Sequence, residues 1–521
     1  MPVLSVTHNG ITKSIAASGS ESVLSELAKA GFCWVSALCG GTGRCGRCAV
    51  KASGTFRSVD FDKTLTASDE TIFSCRWIPV GNCSVVLPDT AKAQITTGGM
   101  VDITPDINSS GLGVAIDIGT TTAAAFLFDL QSGKLLTFCG DLNAQGPFGA
   151  DVISRIRFAS DKNGLETLSD LIKVQLSRFM DTLCASALRK REEISRISIA
   201  GNTVMEHIFA SLSPESIGVS PFTPLSFFGD SIPASEYFSG LRGDAELYLC
   251  PAVSGYVGGD ITAGLLSSGA ASSDELCLFL DLGTNGEMAL GNKNGFLCCA
   301  VAAGPAFEGV GLKCGLASEG AINRIDYVNQ TLAIDTIGGG KARGICGSGL
   351  IDALAVMLRC GAMDSSGRLR DADEVPPQIR GRLRTQDGEK LFCITGDICI
   401  SASDIRALQL AKAAVRGGIE TLLELSGKTY RDVGNVLIAG GFGAWVNIGS
   451  AREIGLLPPE LCTKARHIGV AAAAGAAITL TDEGRSALAA LAAGCRYCEL
   501  SGSPVFYEKY LDHMVFGEAD I

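Results

Sequence analysis

The chain carries one strand-and-turn plan twice. GVAIDIGTTTAAAFLFDLQSGKLL lies at 113–136, and CLFLDLGTNGEMALGNKNGFLCCAV lies at 277–301. Each copy has an apolar strand ending in an acid and a Gly-Thr turn, a second apolar strand, a polar turn with glycine, and a third apolar strand. Two copies predict two related half-domains. The strand-like and helix-like segments that alternate from 113 to about 480 predict α/β layers around them.

The D-x-G-T turn in each copy suits a phosphate group. Glycine lets backbone N–H groups approach phosphate oxygens, the Thr hydroxyl adds a donor, and the Asp carboxylate can hold a Mg²⁺-bound water. One such turn occurs by chance in many hairpins, but two on a duplicated plan indicate a nucleotide clamp. The predicted residues are Asp117, Gly119, Thr120 and Thr121 in the first copy and Asp281, Gly283, Thr284 and Asn285 in the second.

Other segments have the properties that a two-lobed ATPase needs. VLIAGGFGAWV at 436–446 is a strand that runs into glycines able to accept an adenosine or its α-phosphate, although a tight helix-packing turn would have the same sequence. GICGSGLIDALAVML at 344–358 indicates a helix start. The glycines and serine concerned are Gly440, Gly441 and Gly443, and Gly347, Ser348 and Gly349.

Two glutamates are candidates for orienting an attacking water. In ISIAGNTVMEHIFA, Asn202 or Thr203 is the predicted helix cap, and Glu206 lies four residues after Asn202 on the same helical face. Glu308 follows the AAGPAF segment. We expect Asp117 and Asp281 to be the catalytic carboxylates near Mg²⁺, with Glu206 and Glu308 as the weaker candidates.

A cysteine cluster lies near the N-terminus. CGGTGRCGRC places Cys39, Cys45 and Cys48 on one glycine-rich loop, with five and then two residues between them. Such a loop can curl around an iron–sulfur core, and Cys75 in IFSCRW is the candidate fourth ligand. The spacing departs by one residue from the plant-type pattern and resembles that of adrenodoxin-like [2Fe-2S] ferredoxins. A structural zinc site of four cysteines remains the alternative.

Composition limits the partners. With 55 acidic and 43 basic residues the net charge is -12, whereas nucleic acids and anionic membranes attract clustered Lys and Arg. We expect neither partner. MPVLSVTHNG lacks signal-peptide features, and the weakly polar run at 469–480 is shorter than the about 20 residues that span a bilayer. We therefore expect a cytoplasmic protein with mostly reduced thiols, in which the C-x-x-C of Cys495 and Cys498 is ordinary thiols, a redox pair or half of a metal site.

The sequence predicts three consecutive parts: a small N-terminal domain, a linker and a large domain. Residues 1–88 read as a small sheet with one Ser-capped helix around the cysteine loop. Residues 89–112 have linker composition. Residues 113–521 form the predicted ATPase domain, with two related halves and a C-terminal extension.

These motifs carry a family resemblance. The order of phosphate turn, connecting helix, second phosphate turn, connecting helix and adenosine turn resembles the ASKHA superfamily of actin, sugar kinases and heat-shock chaperones. Joined to CGGTGRCGRC, it resembles the reductive activators of corrinoid enzymes, and the resemblance covers nearly the whole chain. The phrases similar to that family are AGNTVMEHIF, AAGPAFEG, ICGSGLIDAL, IAGGFG and ELSGSPVFYEKYLDHMVF.

The resemblance implies a fold and an activity. The fold is an α+β β-grasp ferredoxin domain followed by an α/β two-lobed ASKHA (actin-like, ribonuclease H-like) ATPase domain. The activity is ATP-dependent reductive activation of a corrinoid protein in a methyltransferase system, such as an O-demethylase of an anaerobe, where one electron restores cobalt(I) from inactive cobalt(II). The implied cofactors are a [2Fe-2S] cluster, ATP and Mg²⁺. The implied partners are the corrinoid protein and a low-potential electron donor, with a homodimer as one option for assembly.

Two other functions stay open at this level. One is a redox-sensing kinase that phosphorylates a small metabolite. The other is an iron–sulfur sensor with a degenerate nucleotide site, which the two intact D-x-G-T turns disfavour.

Overall fold

The computed structural model describes residues 2–8, 10–32, 48–88, 99–100, 102–107, 109–283, 285–309, 312–316, 318–440 and 446–517. It divides into two compact units, Met1–Ile95 with Pro105–Leu249 and Thr96–Thr104 with Cys250–Ile521. Across these described ranges, no helix is both long and apolar enough to cross a membrane.

The N-terminal sheet belongs to the first unit. Its strand order is β2-β1-β6-β3-β4 with β5 paired to β3, and β1 and β6 are parallel while the other neighbours are antiparallel. The Ser22 hydroxyl caps the helix by accepting from Ser25 N at 3.2 Å, and the apolar face of that helix joins the core. The elements are β1 (Val3–His8), β2 (Ile11–Ala16), α1 (Val23–Lys29), β3 (Ala49–Ser58), β4 (Thr64–Phe73), β5 (Trp77–Pro79) and β6 (Cys83–Val86).

A second sheet completes the first unit. Its order is β11-β12-β10-β7-β8-β9, in which β7, β10 and β12 are parallel and β8, β9 and β11 each run antiparallel to a neighbour. The elements are β7 (Leu112–Ile118), β8 (Thr122–Asp129), β9 (Leu135–Leu142), α2 (Val152–Ala159), α3 (Gly164–Ser186), β10 (Ile194–Gly201), α4 (Thr203–Phe209), β11 (Ser231–Pro233) and β12 (Glu246–Leu249).

The main sheet of the second unit repeats this plan. Its order is β23-β22-β13-β14-β15-β24, where β22 is Val433–Ala439, β23 is Ala465–Gly469 and β24 is Cys495–Tyr497. In it, β13, β22 and β23 are parallel, and β14 is antiparallel to both of its neighbours. Strands β13, β14, β15, β22 and β23 thus correspond in order and direction to β7, β8, β9, β10 and β12. The elements up to the first long helix are α5 (Gly259–Ser267), β13 (Leu276–Leu282), β14 (Gly286–Asn292), β15 (Gly295–Val301), β16 (Ala321–Val328), β17 (Thr331–Thr336), β18 (Gly344–Ile345) and α6 (Gly347–Arg359).

Two three-stranded sheets, β17-β16-β18 and β19-β20-β21, accompany this main sheet. A disulfide joins Cys393 and Cys399 on opposite positions of β20 and β21, and the other cysteines in the described ranges are free thiols. The remaining elements are α7 (Pro377–Arg380), β19 (Leu383–Gln386), β20 (Glu389–Thr395), β21 (Ile398–Ser401), α8 (Ala402–Leu425), β22 (Val433–Ala439), α9 (Ile448–Glu453), α10 (Pro459–Cys462), β23 (Ala465–Gly469), α11 (Ala471–Ile478), α12 (Asp482–Ala493), β24 (Cys495–Tyr497) and α13 (Pro504–Asp512).

The central strands β7 and β13 are almost continuously buried, which explains their unbroken apolar sequences. Each carries its aspartate, Asp117 or Asp281, near its carboxyl end, where the side chain is partly exposed. Ligands of open α/β sheets bind at the carboxyl ends of strands. The fold therefore places both predicted phosphate turns where a ligand can reach them.

Candidate functional site

Two of the four predicted cluster cysteines meet in the N-terminal sheet. Cys48 lies just before β3, and Cys75 lies in the short 3-10 helix Ser74–Arg76. Their Sγ atoms are 3.3 Å apart and both side chains are buried. The hydrogen bond with Cys75 lowers the pKa of the Cys48 thiol to about 6, although burial acts in the opposite direction. Cys39 and Cys45 lie outside the described residues.

This pair has the donor chemistry of a metal site. Two thiolates bound at about 2.3 Å to one tetrahedral metal would lie about 3.8 Å apart, which is near the observed sulfur separation. Ser74 N donates to Cys48 O at 2.9 Å, so a backbone contact joins the two ligand segments. Among the described residues no group of three or more His, Cys, Asp or Glu is arranged around a metal position. The described half of the ligand set therefore fits iron or zinc equally well.

The first predicted phosphate turn is braced by hydrogen bonds to its carbonyl groups. Gly119 O accepts from Asn143 Nδ2 at 2.7 Å, and Thr121 O accepts from Asn143 N at 2.8 Å. Arg155 Nη2 donates to Thr120 O. Because the N–H and C=O of a trans peptide point in opposite directions, these bonds leave the amides of Thr120 and Thr121 directed away from the brace.

Arg155, which sequence reasoning missed, is the centre of this brace. Its side chain is almost fully buried, and it also donates to Gly149 O at 3.0 Å and to Gln145 Oε1 at 3.1 Å. The available signal was its position on α2, on the same helical face as the buried residues Val152 and Ile156. A cation at a core-facing position requires buried acceptors, which here are the carbonyls of Thr120 and Gly149 and the side-chain oxygen of Gln145.

The AGNTVMEH segment contacts the same turn. Of the two predicted caps, Asn202 is the one that caps α4, because its Oδ1 accepts from Met205 N at 3.0 Å. Its Nδ2 donates to the Thr120 hydroxyl at 3.0 Å. Glu206 is fully buried, with its Cγ 3.5 Å from the position that a Cβ on Gly201 would occupy. Asn202 thus positions a turn residue.

The second phosphate turn contacts the predicted adenosine turn. Gly440, at the end of β22, has φ +89°, and a Cβ built on it would lie 2.6 Å from Asp281 Oδ1 and 3.1 Å from Leu282 O. Glycine is required there both by conformation and by the close approach of the carboxylate. Gly283 N donates to Asn285 O at 2.9 Å. Thr284, Gly441 and Gly443 lie outside the described residues.

A third acidic residue, missed from the sequence, joins the second turn. Glu287 on β14 lies directly opposite Asp281 on β13 and is 8% exposed. Burial raises the pKa of Glu287 well above its ordinary value, and the charges of Asp260 and Asp281 add to this shift. An acid inside an otherwise apolar strand was the sequence signal. The second turn thus gathers acidic side chains, and a cation bound there would lower the Glu287 pKa and be stabilised by the carboxylates.

Of the remaining predicted residues, Ser348 and Gly349 have packing roles, and the Glu308 side chain is not described. Helix α6 begins at Gly347 as predicted, but Ser348 donates to Asn323 O at 3.1 Å, and a Cβ on Gly349 would lie 2.2 Å from Ile322 O. Gly349 therefore serves close helix–strand packing. Glu308 ends a short 3-10 helix, and its side chain lies outside what the structure describes.

Two family models match consecutive parts of the chain. The RACo middle region matches residues 112–273, and the C-terminal domain of RACo, the ASKHA domain, matches residues 275–521.

Individual proteins are similar over most of the chain. The corrinoid activation enzyme RamQ of Eubacterium limosum is 33% identical over 421 residues, 78% of this chain and 70% of that protein. The Co(II) methylated amine-specific corrinoid protein reductase of Methanosarcina barkeri is 26% identical over 378 residues, 66% of each. A solved reductive activator for a corrinoid, iron-sulfur protein superposes with a TM-score of 0.71 at 30% identity, covering 99% of both chains.

Proposed function

The chain belongs to the RACo family, and we propose that it reductively activates a corrinoid protein in an ATP-dependent reaction. The substrate is inactive cobalt(II) in the partner protein, which takes up one electron and becomes the cobalt(I) used in methyl transfer. Other members are named for this role, as the corrinoid activation enzyme and the Co(II) corrinoid protein reductase.

The close approach of Cys48 and Cys75 is the observation that carries the redox half of the proposal. Their buried sulfurs lie 3.3 Å apart, and the three cysteines of the glycine-rich loop include Cys48. We propose that Cys39, Cys45, Cys48 and Cys75 hold a [2Fe-2S] cluster in a β-grasp ferredoxin domain over residues 1–88. When bound, a cluster of the plant type supplies one electron at about −400 mV.

The two D-x-G-T turns support the ATP half. We propose that backbone amides at both turns bind phosphates, and that Asp117 and Asp281 position Mg²⁺. The contact between Asp281 and Gly440 supports a nucleotide site in the second unit, because it joins the phosphate turn to the predicted adenosine turn. Arg155 and Asn202 hold the first turn in its ligand-accepting shape.

ATP has an energetic role in this proposal. A one-electron reduction that is uphill by ~200 mV costs about 4.6 kcal/mol, since each 59 mV corresponds to a tenfold change in the equilibrium constant. A ligand that binds one conformation more tightly can bias a docked complex by this amount. ATP binding would therefore offset the uphill reduction.

The metal content of anaerobically prepared protein tests the redox half. We expect two irons and two sulfides per chain, and loss or distortion of the reduced EPR signal in Cys75→Ser. Cys83→Ser is the matched control, because Cys83 is a buried thiol of the same sheet whose Sγ donates to Thr55 O at 3.1 Å. Stoichiometric zinc without iron would refute the cluster.

The complete reaction tests the function. The full chain with ATP, Mg²⁺, a low-potential reductant and a cobalt(II) corrinoid protein should produce the cobalt(I) absorbance change, and omitting ATP should lower the yield sharply. Cys75→Ser should keep ATP hydrolysis that the corrinoid protein stimulates, yet fail to produce cobalt(I). Phosphorylation of a small acceptor without any electron donor would instead indicate a kinase.

A further inference from the structure

Four cysteines meet where the last strand joins the main sheet of the second unit. Strand β24 pairs in parallel with β15, so that Phe296 lies opposite Cys495 and Cys298 lies opposite Tyr497. Cys498 N then donates to Cys298 O at 2.8 Å. The C-x-x-C near the C-terminus therefore runs beside the Cys298-Cys299 pair, a neighbour that is remote in sequence.

The four thiols separate into two pairs. Successive residues of a strand face opposite sides of a sheet, so Cys298 and Cys299 point to different cores. Cys495 packs with Cys298 in one apolar cluster, and Cys498 packs with Cys299 in the other. Cys495 and Cys498 thus each have a partner on β15, on opposite faces of the sheet.

The pair formed by Cys298 and Cys495 is asymmetric. The two side chains lie in the same apolar cluster, where Cys298 is fully buried and Cys495 is half-buried. The interaction between the two thiols lowers the pKa of Cys495 and, together with burial, raises the pKa of Cys298. Cysteines that react with oxidants are typically accessible, rich in thiolate and next to a second, resolving thiol.

We propose that Cys495 and Cys298 form a redox-active dithiol, with Cys495 as the nucleophile that meets the oxidant and Cys298 as the resolving thiol. The register of β15 with β24, the shared face and the difference in exposure carry this assignment. It does not depend on the proposed corrinoid activity.

The chemistry is thiol–disulfide exchange with a small disulfide as oxidant. The Cys495 thiolate attacks one sulfur of that disulfide, whose S–S bond breaks and releases one thiolate. Cys298 then loses its proton and attacks the Cys495 sulfur of the mixed disulfide, which releases the second thiolate. In total, two protein thiols are oxidised to one disulfide, and the small disulfide is reduced to two thiols.

Oxidised glutathione is a suitable probe for the full-length, cluster-loaded protein. After partial oxidation and rapid alkylation, peptide mass spectrometry should find Cys495 modified at least tenfold faster than Cys498, and a Cys298–Cys495 cross-link as the product. The visible absorbance of the cluster, recorded in parallel, shows whether its ligands stay bound. This measurement needs no variant.

Single variants separate the two roles. Cys298→Ser should accumulate the mixed disulfide at Cys495, and Cys495→Ser should abolish the fast phase. Cys498→Ser is the matched control, because it removes the thiol of the opposite face, and it should leave the cross-link unchanged. A cross-link through Cys498, or a wild-type protein in which Cys495 reacts no faster than Cys498, would overturn the proposal.

Discussion

The two D-x-G-T turns lie on strands of equal topology but have different surroundings. In each unit, the strand parallel to the aspartate's own strand has an Ala-Gly pair beside the aspartate. Ala200-Gly201 of β10 lies beside Asp117, and Ala439-Gly440 at the end of β22 lies beside Asp281. A Cβ on Gly201 would lie 3.1 Å from the Ile118 carbonyl, whereas a Cβ on Gly440 would lie 2.6 Å from the Asp281 carboxylate. Only the second glycine is thus in direct contact with the acid.

The charge around the turns differs as well. The buried Arg155 guanidinium braces the first turn, whereas at the second turn the charges of Asp260 and Asp281 both act on the buried Glu287. One duplicated backbone has therefore acquired a buried internal cation at one turn and a group of interacting acidic side chains at the other. We expect the first turn to be a preformed phosphate binder and the second to depend on a divalent cation.

The largest expected effect comes from removing the aspartates. Asp117→Ala and Asp281→Ala should each lower ATP turnover by at least about 100-fold, because each removes charge positioning at a transferring phosphate. Both should keep the fold, since the side chains are partly exposed. Because we expect the second turn to depend on a divalent cation, Asp281→Ala should raise the Mg²⁺ concentration for half-maximal activity more than Asp117→Ala does. Wild-type turnover in both variants would refute the clamp.

The second largest expected effect is a loss of stability when the buried cation of Arg155 is removed. Arg155→Met leaves the carbonyls of Thr120 and Gly149 without their donor, at an expected cost of about 3 kcal/mol in the free energy of unfolding. Arg157→Met is the matched control, because Arg157 is exposed on the same helix. Thermal unfolding and hydrogen exchange of β7 peptides measure the effect. Equal stability of the two variants would show that the brace is unimportant.

A single methyl group tests the contact at the second turn. Gly440→Ala should weaken ATP binding about tenfold, or about 1.4 kcal/mol, because the new Cβ displaces the Asp281 carboxylate. Gly427→Ala is the control: it has φ +64° and nothing within 4 Å of its Cβ, so it shares the backbone strain without the clash. If calorimetry finds that Gly440→Ala binds ATP as tightly as Gly427→Ala does, the contact of Gly440 with the Asp281 carboxylate is not part of the nucleotide site.

The smallest expected effect is a pH dependence of opposite sign in the two units. Burial lowers the pKa of His207, so the first unit loses stability as pH falls below about 6.5, the value in the unfolded chain. The raised pKa of Glu287 has the reverse effect: its contribution is full at low pH and is lost as pH rises. Each contributes less than about 1.4 kcal/mol per pH unit.

Hydrogen exchange of peptides from each unit between pH 5.5 and 8 measures these slopes. His207→Gln should flatten the slope of the first unit alone, and Glu287→Gln that of the second alone. Slopes of the same sign in both units would contradict the contrast between them.

Several features of the molecule follow from short stretches of sequence. In both copies an apolar run ends in an acid and Gly-Thr, and this pattern places each predicted phosphate turn at the end of a buried central strand. Asn202 caps its predicted helix, and Gly347 begins its own. These features are local, because a strand end, a cap or a tight turn depends on a few adjacent residues. The ASKHA fold of the C-terminal part is confirmed by its family model.

Other features depended on the tertiary structure alone. The brace of Arg155 on Thr120, the contact of Gly440 with Asp281 and the pairing of β24 with β15 all join residues far apart in the chain. The sequence marked several of these positions as unusual, such as a cation on a core-facing helix position, without identifying their partners. Strand order and register are set by the burial of whole sheet faces, which depends on all the packed elements at once. The sequence by itself thus determined the turns, and the packing of the sheets decided which side chains face them.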